Sequence, residues 1–134
     1  MNEESNKILV YVIEDSRIIC DIMSRLVLFN KNIEVKTFYD GQTALAAVTK
    51  KWPDIIFLDY YLDNNHKHGI NGDVVLRTIK RVSKDTPVIL MTSLTDGKKI
   101  NTLLRIGFDG FIHKGEENLM ENIVGCVNKF AGTN

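Results

Sequence analysis

Asp59 closes an apolar run, Ile55-Ile56-Phe57-Leu58-Asp59, and a second run, Ile8-Leu9-Val10-Tyr11-Val12-Ile13, closes in the acidic pair Glu14-Asp15. Each run has the length of a buried strand. If the two strands are parallel neighbours, three carboxylates meet at one edge of a sheet. Like charges held that closely repel, so something cationic must sit among them. Oxygen ligands at strand ends suit a hard divalent ion such as Mg²⁺. The same edge is where open α/β sheets bind their ligands.

Two further runs add to this set. Pro87-Val88-Ile89-Leu90-Met91 ends in Thr92-Ser93, and Gly110-Phe111-Ile112-His113 ends in Lys114. Four strand ends thus deliver, in chain order, Glu-Asp, Asp, Thr and Lys. A carboxylate nucleophile, a metal, a hydroxyl and an ammonium together can hold a phosphoryl group. Three carboxylates and one Lys leave two negative charges, which one Mg²⁺ offsets.

The elements that must position these residues are legible as five alternations of strand and helix patterns. Strands are expected at 7–13, 33–38, 54–58, 86–91 and 109–112, and helices at 16–29, 41–50, 72–82, 97–106 and 116–130. Short links between them imply parallel strands with right-handed crossovers. In the first helix Ile18, Ile19, Ile22, Met23, Leu26 and Val27 read as a core-facing stripe, and in the last Leu119, Ile123, Val124, Val127 and Phe130 do the same. Ser16 or Asp15 can cap the first helix. The central strands are apolar on both faces, as in sheets covered by helices on both sides. The expected architecture is a doubly wound five-stranded parallel sheet in the order 2-1-3-4-5. In that order the first and third strands flank the topological switch point, which gathers Glu14, Asp15 and Asp59.

On these residues the chain resembles the receiver domain of two-component response regulators, with a flavodoxin-like fold, over residues 6 to 130. The resemblance implies that Asp59 accepts a phosphoryl group from a histidine kinase or phosphotransfer protein. It implies Mg²⁺ held by Asp15, Asp59 and the main-chain carbonyl of Tyr61, with Glu14 acting mostly through metal-bound water. Lys114 and Thr92 would each meet a phosphoryl oxygen, Ser93 would leave an entry path, and Phe111 would be the aromatic that rotates inward to change a protein-binding face. Three departures from the family pattern stand out. Lys114 precedes Gly115 rather than the usual cis proline, and a cis bond without proline costs about 3–4 kcal/mol. The loop Asp63 to Gly72 is longer than usual, with Asp63 at the family's proline position and Gly72 matching its glycine. Tyr61 sits where side chains govern water access to an acyl phosphate.

Composition narrows the function further. The 134 residues suit one domain, 44% of them are hydrophobic, and 17 basic residues balance 17 acidic ones. That balance offers no nucleic-acid footprint. No apolar stretch is long enough for a membrane span, and the N-terminus lacks a basic signal-peptide opening, so a cytoplasmic location is expected; the resemblance implies a signalling module rather than an enzyme. Cys20 and Cys126 read as reduced, semi-buried thiols. His66 and His68 make a weak metal signal without a cysteine partner. An aspartyl-phosphate phosphatase is the enzymatic alternative, but it would carry a second Asp where Tyr61 stands. A flavodoxin-like cofactor binder would need a phosphate loop where Glu14-Asp15-Ser16-Arg17 stands. A degenerate receiver, binding partners without phosphorylation, is the remaining alternative.

Overall fold

The computed structural model describes residues 7–62, 70–93 and 95–131. Its strands are β1 (Ile8–Ile13), β2 (Ile33–Phe38), β3 (Ile55–Leu58), β4 (Val88–Thr92) and β5 (Gly110–His113). Its helices are α1 (Arg17–Ser24), α2 (Gly41–Lys50), α3 (Gly72–Val82), α4 (Gly97–Ile106) and α5 (Leu119–Phe130). The sheet order is β2-β1-β3-β4-β5, and every neighbouring pair is parallel. This is the expected doubly wound arrangement.

Strand alternation divides the interior in two. Leu9, Tyr11, Ile13, Ile56, Leu58, Val88 and Leu90 face a core with Val48, Val75, Leu76, Ile79 and Leu103 of α2, α3 and α4. Ile8, Val10, Val12, Ile55, Phe57, Ile89, Met91 and Ile112 face Cys20, Met23, Ile123 and Val127 of α1 and α5. Each fully buried aliphatic side chain contributes about 1.5–3 kcal/mol. The sheet is therefore fixed from both sides, and its ends are the places left for polar chemistry.

Capping sets the helix starts. The Asp40 carboxylate accepts from Thr43 N at 2.7 Å, and that of Asp96 accepts from Lys98 N at 2.9 Å. The Ser16 hydroxyl accepts from Ile19 N at 3.4 Å, which makes Ser16 the cap of α1. At the other end of α4, Gly107 adopts φ 113°, a left-handed stop that glycine tolerates without Cβ strain. Lys80 locks the N-terminal edge of the sheet, its Nζ donating to Thr86 O at 2.7 Å and to Asp109 Oδ2 at 2.7 Å.

Three expectations are corrected. The first helix does not run to residue 29. It ends at Ser24, whose hydroxyl donates to Cys20 O at 2.9 Å, and a 3-10 turn continues from Arg25 to Leu28. Nor do Ile18 and Val27 face the core. They are exposed, and Cys20, Met23 and Leu26 are the buried residues. α5 also begins at Leu119, after a turn whose Glu116 carboxylate accepts from the Asn122 side-chain amide.

Candidate functional site

The site lies at the C-terminal edge of the sheet, where the ladder runs one residue past each strand. Glu14 N donates to Phe38 O at 2.9 Å, Asp59 N to Ile13 O at 3.0 Å and Lys114 N to Thr92 O at 3.0 Å. Glu14, Asp59 and Lys114 extend the rows of Val12, Phe57 and Ile112 that face α1 and α5. Alternation therefore aims all three at one spot.

Carboxylate oxygens of Glu14, Asp15 and Asp59 lie within 4.8 Å of one another. Glu14 and Asp59 are buried, and Asp15 is half-buried. The Lys114 ammonium stands 3.1 Å from Asp59 Oδ2 and donates to Glu14 Oε1 as well. Lys114 is thus shared between two carboxylates. Glu14 thus meets the Lys114 side chain directly.

The charges do not balance among these side chains. Burial raises Glu14, the adjacent Asp59 carboxylate raises it further, and Lys114 only partly opposes this, so its carboxyl titrates at about 9. Burial works against the Lys114 charge, yet Glu14 and Asp59 outweigh it and hold the ammonium above its usual range. Glu14 Oε2 is buried and meets no hydrogen-bond donor among the described residues. An acidic cluster with an orphaned buried oxygen fits a hard divalent cation, which would relieve the repulsion that a proton otherwise relieves.

Thr92 is fully buried at the end of β4, paired in register with His113. Ser93 follows it and is exposed. Phe111 lies away from the carboxylates, opposite Leu90 on β5, 36% exposed, with its ring 6.1 Å from that of Phe108. Tyr61 is half-buried, packs edge-on against Tyr60 at 4.9 Å and lies over the α2–α3–α4 core.

Gly72 has a steric role. A Cβ there would sit 2.4 Å from Asp59 O and 2.8 Å from Tyr60 Cα, and Gly72 N donates to Tyr60 O at 2.7 Å. Only glycine lets α3 approach the main chain at Asp59 and Tyr60 so closely. Asn71 Oδ1 accepts from Leu62 N at 3.1 Å, which closes the base of the long loop. Residues 63–69, with His66 and His68, lie outside the described residues.

Other contacts carried no sequence signal. The Lys99 ammonium of α4 stands 5.6 Å from the ring centroids of both Tyr60 and Tyr61. Arg17 lies 4.6 Å over the Tyr39 ring beside the site. The Cys20 thiol donates to Glu14 O at 3.3 Å, and burial pushes its pKa up to about 11. Among the described residues no peptide bond is cis, so the link from Lys114 to Gly115 is trans.

A family model described as the response regulator receiver domain matches residues 10–124. The chain belongs to the response regulator receiver domain family. This receiver domain is 29% identical over 105 residues to the DNA-binding response regulator MtrA of Mycobacterium leprae (strain TN), covering 78% of this chain and 44% of that protein. It is 31% identical over 107 residues to protein-glutamate methylesterase/protein-glutamine glutaminase 3 of Vibrio cholerae serotype O1, covering 78% of this chain and 28% of that one. The chain therefore spans less than half the length of these relatives. Among solved structures it resembles a BeF3-activated DrrB receiver domain, with a TM-score of 0.79, 24% identity and coverage of 95% and 99% of the two chains. A phosphorylated cyanobacterial phytochrome response regulator, RcpA, gives a TM-score of 0.81 at 22% identity over 96% of each chain. These two likenesses bear on the fold. The acidic edge of this receiver domain is compatible with Mg²⁺.

Proposed function

We propose that this receiver domain takes a phosphoryl group onto Asp59 from a histidine kinase or a phosphotransfer protein, and that the modification changes a protein-binding face. The observation that carries this reading is the Lys114 ammonium 3.1 Å from Asp59 Oδ2 within a cluster of three carboxylates. An Asp59 carboxylate oxygen attacks the phosphorus of a phosphohistidine. The new P–O bond forms as the P–N bond breaks, and its electron pair stays on the leaving imidazole nitrogen. Lys114, already paired with the carboxylate, passes to a phosphoryl oxygen, and the Thr92 hydroxyl donates to another. Ser93, small and exposed, leaves the approach open. Asp15, Asp59 and the Tyr61 carbonyl would hold Mg²⁺, with Glu14 contributing through water. When bound, the ion offsets the charge gathering on the phosphoryl oxygens.

The same reading treats the chain as one receiver unit, supported by a single sheet with both faces covered. Among the described residues no helix is long and apolar enough to cross a membrane. We place the domain in the cytoplasm, with a second protein rather than nucleic acid as its direct target, in line with its balanced charge.

Incubation with acetyl phosphate and Mg²⁺ tests the central step. The intact mass should rise by one phosphoryl group, and Asp59→Asn should show no rise. Equal labelling of the Asn variant would remove Asp59 from this role.

A further inference from the structure

We propose that His113 is a positioning residue for Lys114, using its imidazole as the acceptor that fixes the turn from which the lysine is aimed. The proposal rests on the reading that Lys114 meets the phosphoryl group.

A lysine reaches its target through a flexible four-carbon stem, so its aim depends on how firmly its own backbone is held. Three hydrogen bonds hold it here. Lys114 N donates to Thr92 O at 3.0 Å, and Glu116 N donates to His113 O at 3.2 Å across a four-residue turn. The third comes from a side chain, with Gly115 N donating to His113 Nδ1 at 3.1 Å. A side chain that accepts from the main-chain N–H two residues on makes the contact typical of Asn and Asp in Asx turns. His113 makes it with a ring nitrogen, which must be unprotonated, so the ring hydrogen belongs on Nε2.

Gly115 matches this device in two ways. It supplies an N–H, which a proline could not, and it leaves room for the ring. A Cβ on residue 115 would meet His113 Nδ1 and Cε1 at 3.2 Å each, so the imidazole would have to shift by a few tenths of an ångström against its donor. His113 also pairs in register with Thr92. One short segment thus sets the ammonium and the hydroxyl relative to each other.

The test is the rate of phosphorylation by acetyl phosphate in saturating Mg²⁺, followed by intact mass, with folding checked by thermal melts. His113→Leu removes the acceptor and should slow labelling about tenfold, as expected for one lost hydrogen bond. His113→Asn restores an acceptor at the same spacing and should stay within about threefold of wild type. In a Lys114→Ala background His113→Leu should cost nothing further, because the histidine acts only through the lysine. An equal cost with and without Lys114 would make His113 merely structural and overturn the proposal, as would failure of Asn to rescue. If His113→Leu does not fold, Gly115→Ala keeps the donor but crowds the ring, and it should slow labelling only when Lys114 is present. If Lys114→Ala labels as fast as wild type, the reading of Lys114 fails instead, and that outcome is distinct.

Discussion

Glu14 is where the electrostatic conflict concentrates. Its carboxyl is fully buried beside Asp59, and Lys114 cannot neutralise both. Its folded value of about 9 stands above the ordinary 4.5. A raised folded pKa contributes stability that is complete below the unfolded value and is lost as pH rises towards the folded one. In EDTA the domain should therefore lose stability as pH rises from the ordinary carboxylate range towards 9. Glu14→Gln should flatten that decline, and Mg²⁺ should stabilise wild type more at pH 8.5 than at pH 6. Urea midpoints across that range decide the matter, and an identical decline in wild type and the Gln variant would contradict it. The identities of Glu14, Asp15, Asp59, Thr92 and Lys114 were legible because each ends an apolar run. Of their pairings one was: the resemblance implied Lys114 beside the free Asp59 carboxylate, as found. Its second partner, Glu14, depends on rotamers that no local pattern encodes.

At the scale of elements, strand positions followed from apolar runs bounded by turn residues, and α2, α3 and α4 match their expected spans at 41–50, 72–82 and 97–106. α1 did not follow so simply. It is apolar on most of its circumference, with Ile18, Ile19, Cys20, Ile22 and Met23 in one short stretch, so spacing alone could not choose the buried side. Packing chose Cys20 and Met23 and left Ile18 73% exposed, two residues after the Ser16 cap and close in the chain to Glu14-Asp15. On the proposed reading, an exposed isoleucine this close in the chain to Glu14-Asp15 is suited to meet a phosphotransfer partner that must bring its histidine to Asp59. Ile18→Lys should leave stability within about 0.5 kcal/mol. It should slow transfer from a cognate phosphotransfer protein about tenfold or more, the equivalent of roughly 1.4 kcal/mol. Labelling by acetyl phosphate, which needs no docking face, should not change. Slowing of both reactions would point to damage at the site instead.

At the scale of the whole molecule, the chemistry sits at one edge of the sheet and any output must appear on a face. β4 and β5 connect the two. Thr92 pairs with His113 at the site, and two residues back Leu90 pairs with Phe111. Thr92 is fully buried, while Phe111 remains partly exposed, its ring tilted 6.1 Å from that of Phe108. A phosphoryl group on Asp59 gives the Thr92 hydroxyl a stronger acceptor than any neutral oxygen offers, so Thr92 is drawn towards β3. Space opened on that side of β4 can be filled by the Phe111 ring, which gains by leaving water. On the proposed reading the coupling would run through one hydroxyl and one aromatic ring. Phosphorylation of wild type should shift amide resonances of α4 and β5 as well as those at the strand ends. In Phe111→Ala labelling should proceed within about twofold, because Phe111 pairs with Leu90, two residues back from Thr92, a change of under 0.5 kcal/mol in barrier. Its shifts should stay confined to residues near Asp59. If they spread into α4 as far as in wild type, the signal crosses the molecule by another route, and the Lys99 contact with Tyr60 and Tyr61 is the first place to look.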